Sequence, residues 1–208
     1  MNDLGFIHRF VPAPAGIDAP RTLLMLHGTG GNENDLLDLG RTIDPRAAIL
    51  SPRGQVLENG APRFFRRLAE GVFDEADVVA RSHELAAFVG EAIRHYKIDP
   101  AQMVAVGYSN GANIAAAMVL LGVAEFPKAI FFRAMVPLSN PAPVTAKTNG
   151  ILISEGRFDQ IAHPDQGAHL ERLLQQTGAK VDLIFQTAGH ELIGSDVAAA
   201  QQWLASIA

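Results

Sequence analysis

The sequence predicts an α/β architecture: an open, mostly parallel sheet of about seven strands with helices on both faces. Three observations carry this. Short apolar runs recur along the chain, and several, such as Leu23-Leu24-Met25-Leu26, Ile130-Phe131-Phe132 and Ile151-Leu152-Ile153, show no polar alternation. Strands read this way when helices cover both faces of their sheet. Longer segments with helical spacing separate these runs, the alternation expected of parallel sheets. The 208 residues are 48% hydrophobic and 19% charged, which suits one large core, so a single domain over residues 1–208 is expected.

In chain order, strands are expected at residues 6–11, 22–27, 48–51, 103–107, 129–136, 150–154 and 180–186. A first helix can start near Asn34. The next, over 77–96, carries Val78, Leu85, Val89, Ile93 and Tyr96 on one stripe. Residues 112–121 are apolar almost all round, so that helix should be buried beside the sheet. A helix over 165–177 places Leu170, Leu173 and Leu174 together and ends at Gly178, suited to a C-terminal left-handed residue. Ser195 can cap a last helix carrying Val197, Leu204 and Ile207. The longest segment without a pattern, 54–76, should overhang the carboxyl edge of the sheet. The Pro-rich stretch 137–143 is too short for a lid helix.

Composition excludes several kinds of chemistry. A net charge of −5 offers nothing to nucleic acid or an anionic membrane. With no cysteine, disulfides, thiolate nucleophiles and thiolate metal sites are ruled out. No pair of histidines has metal spacing, so no metal is expected. The N-terminus lacks a basic start followed by an apolar stretch, and no apolar run approaches the roughly 20 residues that cross a bilayer, so a cytoplasmic location is expected.

Gly107-Tyr108-Ser109-Asn110-Gly111 follows the apolar run Met103-Val104-Ala105-Val106 and opens the buried helix. This is the setting of a G-x-S-x-G nucleophile elbow, where small residues let strand and helix backbones converge and the serine hydroxyl projects at the sheet edge. In such elbows an acid and then a histidine follow, each on a loop after a later strand. Asp159 lies after the strand at 150–154, and His190 after the strand at 180–186. Ser109, Asp159 and His190 are therefore the candidate nucleophile, imidazole-orienting acid and general base. Glu155 sits too close to its strand end, and Asp165 is better used at the start of the next helix. The glycine-rich His27-Gly28-Thr29-Gly30-Gly31 loop nominates the backbone N–H of Thr29, with that of Asn110, as an oxyanion hole. No Gly-Lys-Ser/Thr follows it, which argues against a phosphate-binding loop.

Together His27-Gly28-Thr29-Gly30, Ser51-Pro52-Arg53-Gly54, Gly107-Tyr108-Ser109-Asn110-Gly111, Asp159 and Gly189-His190 resemble the phospholipase/carboxylesterase family, akin to acyl-protein thioesterases and dienelactone hydrolases. Arg63-Phe64-Phe65-Arg66-Arg67, with Glu70-Gly71-Val72-Phe73-Asp74 after it, resembles a bacterial carboxylesterase branch. The resemblance implies an α/β-hydrolase fold without a large lid domain, and a cofactor-free esterase acting on small to medium acyl esters. It also suggests a homodimer. A Cys nucleophile, used by dienelactone hydrolases proper, is lacking here. Alternatives on the same scaffold are a thioesterase or lysophospholipase, or a ligand-binding receptor without catalysis. For the substrate wall, Phe64, Phe65 and Phe73 are the apolar candidates, beside Arg63, Arg66 and Arg67, of which an arginine, Arg66 foremost, could recognise a carboxylate, with His163 in the acid loop. Against Arg66 stands a surface network in which Glu70, Asp74, Glu75 and Asp77 neutralise the arginines.

Overall fold

The seven apolar runs pair into one sheet. The computed structural model describes residues 4–124 and 126–206. Its main strands are β1 (His8–Val11), β2 (Thr22–Leu26), β3 (Ala48–Pro52), β4 (Met103–Tyr108), β5 (Lys128–Phe132), β6 (Gly150–Gly156) and β7 (Lys180–Gln186), in the spatial order β1-β3-β2-β4-β5-β6-β7. Every neighbouring pair is parallel except β1 with β3. All five residues of β2 and of β3 are buried, as expected of strands covered on both faces. Because β4, β6 and β7 run the same way, Tyr108, Gly156 and Gln186 deliver the chain to a single sheet edge.

Helices α1 (Leu37–Ile43) and α5 (Gly194–Ser206) cover one face, packing Ile43, Ala200 and Trp203 on Met25, Val104 and Ile130. The other face carries α2 (Glu75–Tyr96), α3 (Asn110–Leu120) and α4 (Pro164–Gln176), with Val78, Leu85, Ile114 and Leu170 in the larger apolar cluster. Helix α2 begins where Asp74 accepts from the Asp77 N–H and ends at left-handed Lys97. Every residue of α3 is buried, the outcome its all-round apolar sequence foretold. Gly178 closes α4 with φ +91°. Ser195 does not cap α5. It lies inside the first turn and donates to Gln186 Oε1, while the Asp196 carboxylate accepts from the Ile193 N–H. Ile207 falls outside the described residues.

Two segments differ from expectation. The strand expected over 129–136 stops at Phe132, because Arg133 turns into the left-handed region (φ +55°) and leaves the ladder. Segment 54–76 is not irregular. Val56–Glu58 pairs with Ala61–Arg63, and Arg67–Ala69 with Val72–Phe73, as two short hairpins. Asn59 (φ +52°) and Gly60 (φ +82°) join the first as the two-residue left-handed turn whose twist matches paired strands. No helix forms between Val136 and Gly150. Among the described residues no helix is long and apolar enough to cross a membrane.

Candidate active site

At the end of β4 the chain reverses into α3 through Ser109, whose φ of +52° and ψ of −115° are strained for a residue with a side chain. Glycine is a steric requirement on both sides. A Cβ on Gly107 would lie 2.5 Å from Ala112 Cα, and one on Gly111 would lie 2.0 Å from the Leu26 carbonyl oxygen. The turn is held by the Ser109 N–H donating to Phe132 O (2.9 Å) and by Ser109 O accepting from the Asn113 N–H (2.9 Å).

The strand order brings the other two candidates to this turn. His190 Nε2 is 3.0 Å from Ser109 Oγ, and His190 Nδ1 is 2.8 Å from Asp159 Oδ2. The Asp159 side chain is fully buried, and its other oxygen accepts from the N–H groups of Ile161 (2.8 Å) and Ala162 (2.9 Å). A carboxylate so fixed presents one oxygen to one imidazole nitrogen and selects its tautomer. The acid and histidine loops are themselves clamped: Phe158 N–H donates to Ala188 O (3.0 Å), and a Cβ on Gly156 would collide with Gly189 O at 2.1 Å.

Thr29 and Asn110 line the same cleft as Ser109. Among the described residues, neither backbone N–H donates to a protein acceptor. The glycine loop carrying Thr29 is pinned by Gly30 N–H to Pro62 O (2.9 Å). His27 braces it from beneath: Nε2 accepts from the Gly54 N–H (2.9 Å), which leaves Nδ1 to donate to Gly28 O (2.7 Å). Burial lowers the His27 pKa, in keeping with a neutral structural imidazole.

Arg133 is the element that sequence reasoning missed. It is entirely buried, and all five of its N–H donors are used. Nε reaches Gly189 O (3.0 Å) and Nη2 reaches Glu191 O (2.7 Å), the carbonyls flanking His190. Nη1 reaches Ser154 O (3.0 Å), and the fork closes on Asp196 (2.8 and 2.7 Å), which also accepts from Ser154 Oγ. The signal available was a cation inside an apolar run. Beside it, Glu155 accepts from the Ala134 N–H through Oε1, while Oε2 has no partner among the described residues. Burial raises its pKa well above the ordinary value.

The expected substrate wall is largely redrawn. Phe73 lines the cleft. Phe64 and Phe65 do not: both are core residues, the first against His27 (ring centroids 4.8 Å apart) and the second edge-on to Phe73. Arg66 is exposed and bound to Asp74, the neutralised surface alternative. His163 is exposed and caps α4. What lines the cleft of about 210 Å³, beside Ser109 and His190, includes Arg63, Arg67, Tyr108, Asn113, Met135 and Ile161. No group of three or more potential metal ligands occurs among the described residues.

No family model matches the sequence. It is 44% identical over 181 residues to MhqD of Bacillus subtilis (strain 168), a protein named as a hydrolase, covering 87% of this chain and 90% of that one. Among solved structures, the Bacillus cereus carboxylesterase superposes with a TM-score of 0.89 at 40% identity, over 97% of this chain and 94% of that one. A carboxylesterase from Mesorhizobium loti gives a TM-score of 0.90 at 32% identity, over 99% and 97%.

Proposed function

This chain belongs to the carboxylesterase/phospholipase family of α/β-fold hydrolases, and on that footing we propose that it is a serine carboxylesterase acting on small to medium esters. The observation that carries the reading is the unbroken relay from Asp159 through His190 to Ser109 Oγ.

In this mechanism His190 Nε2 takes the hydroxyl proton as Ser109 Oγ attacks the ester carbonyl. Asp159 holds the Nδ1 proton in place and stabilises the imidazolium. The oxygen gaining negative charge is received by the Thr29 and Asn110 N–H groups, the second at the N-terminus of α3, where the helix dipole also favours an anion. Collapse of the tetrahedral intermediate expels the alcohol, which leaves with the proton from His190. Water, deprotonated by the same imidazole, then releases the acid and restores Ser109. Strain at Ser109 is part of this design, because only the left-handed turn presents Oγ beside the donors.

The test is steady-state kinetics on 4-nitrophenyl esters and matched thioesters of graded acyl length. The reading expects ester turnover with an optimum at short to medium chains. A preference for thioesters across the whole series would replace carboxylesterase with thioesterase.

A further inference from the structure

The structure assigns a second role to the cleft, resting on the hydrolase reading: we propose that Arg67, backed by Arg63, forms a carboxylate-binding subsite, so that the substrates are esters bearing a free carboxylate.

The cleft concentrates positive charge where a neutral ester would not call for it. The first hairpin presents Arg63 and the second begins with Arg67, and both guanidiniums line the same cavity as Ser109 and His190. Arg63 is 3% exposed. Its Nη1 donates to Thr29 Oγ1 (2.6 Å) and its Nε to Phe65 O (3.1 Å). Arg67 uses only Nε, shared between the two oxygens of Glu58 at 2.9 and 3.1 Å. Among the described residues, the Nη1 and Nη2 of Arg67 and the Nη2 of Arg63 donate to no protein acceptor.

One carboxylate therefore serves two cations, since Glu58 also lies 3.4 Å from Arg63 Nε. Burial and the neighbouring charge of Arg67 both act against the charged state of Arg63, and only Glu58 offsets them. Glu70 sits at the cleft edge but is exposed, where water screens it. An anion entering between the arginines relieves their repulsion and fills the unused donors. A carboxylate suits this best, because a planar two-oxygen acceptor matches the open guanidinium fork. Phe73 and Met135 add apolar lining to the same cavity.

The contrast with Arg66 sharpens the assignment. Arg66 stands one residue from Arg67 yet points to solvent and is occupied by Asp74 (2.7 Å). A general basic surface would make the two equivalent. A built subsite makes them different.

The experiment compares mono(4-nitrophenyl) glutarate with its neutral methyl ester, in wild type, Arg67→Met, Arg67→Lys and Arg66→Met. The readout is the ratio of kcat/KM for charged over neutral substrate. Wild type should favour the charged ester, and Arg67→Met should lower the ratio about 10–100-fold, mainly through KM. Arg67→Lys should recover only part of it, because the fork is lost. Arg66→Met should retain the wild-type ratio. An unchanged ratio in Arg67→Met, or an equal loss in Arg66→Met, overturns the subsite. Calorimetric titration of Ser109→Ala with monomethyl glutarate reads binding without turnover. Binding that Arg67→Met abolishes upholds the subsite even if no ester is hydrolysed, an outcome that would sink the esterase reading alone; binding that survives refutes the subsite.

Discussion

The two halves of the cleft are built to opposite rules. On the histidine side, Asp159 has both oxygens engaged, His190 has both nitrogens engaged, and Arg133 behind them spends every donor on a carbonyl or on Asp196. On the hairpin side, Arg67 commits one nitrogen and leaves two open. In the proposed mechanism the first half carries out a step common to all esters, which fits a geometry completed by the protein itself. In the proposed subsite the second half meets what differs between esters, and the open donors of Arg67 await a partner that the substrate would supply. Preorganisation and recognition are separated in space, and variants on each side should fail differently.

The largest effect on that contrast is expected at Arg133. Its ion pair with Asp196 is fully buried on both sides, and removing one partner of such a pair costs about 3–5 kcal/mol. Arg133→Met should therefore lower the melting temperature by roughly 10 °C. It should also reduce kcat with KM little changed, because His190 loses the two carbonyl anchors beside it. Adding Asp196→Asn removes the stranded charge and should restore stability without restoring kcat. If the double variant recovers both, Arg133 serves the fold and does not position the imidazole. The Arg67 variants come next and should invert this pattern, moving KM and leaving the melting temperature near wild type. The smallest effect concerns Glu155. Burial keeps this carboxyl protonated in the fold well above its ordinary value of 4.5, while the unfolded chain ionises near that value. The native state then holds a proton that the unfolded state has lost, so stability falls as pH climbs from about 4.5 toward the raised value. Glu155→Gln should abolish that slope, and melting curves from about pH 5 to about pH 8 should show the variant gaining on wild type. A parallel pair of curves would mean that the carboxyl is not held neutral.

The same division decides what the sequence makes legible. That Ser109, Asp159 and His190 meet at one sheet edge was legible because the elbow imposes glycine at 107 and 111, and because chain order in a parallel sheet fixes which later loops reach that edge. The seven strands were legible as apolar runs. The hairpin at Asn59-Gly60 had its signal in plain view, yet a two-residue left-handed turn announces pairing only when both flanks are tested for strand partners. Which of the neighbouring aromatics and arginines faces the cleft was not legible. Arg67 lines the cleft while Arg66 beside it faces solvent, and the consecutive Phe64 and Phe65 are both buried, so no simple alternation sorts this stretch. Arg133 was hidden for another reason. Its partner Asp196 lies 63 residues away, and a lone cation in an apolar run says that something must neutralise it without saying what.

The central claim, that Ser109 is made nucleophilic by the relay behind it, is tested most directly by intact-protein mass spectrometry after exposure to a fluorophosphonate. The account predicts one covalent adduct, mapped to Ser109, formed rapidly in wild type, severely slowed in His190→Ala and missing in Ser109→Ala. A folded wild-type protein that takes up no label, or that carries it on another residue, would contradict it.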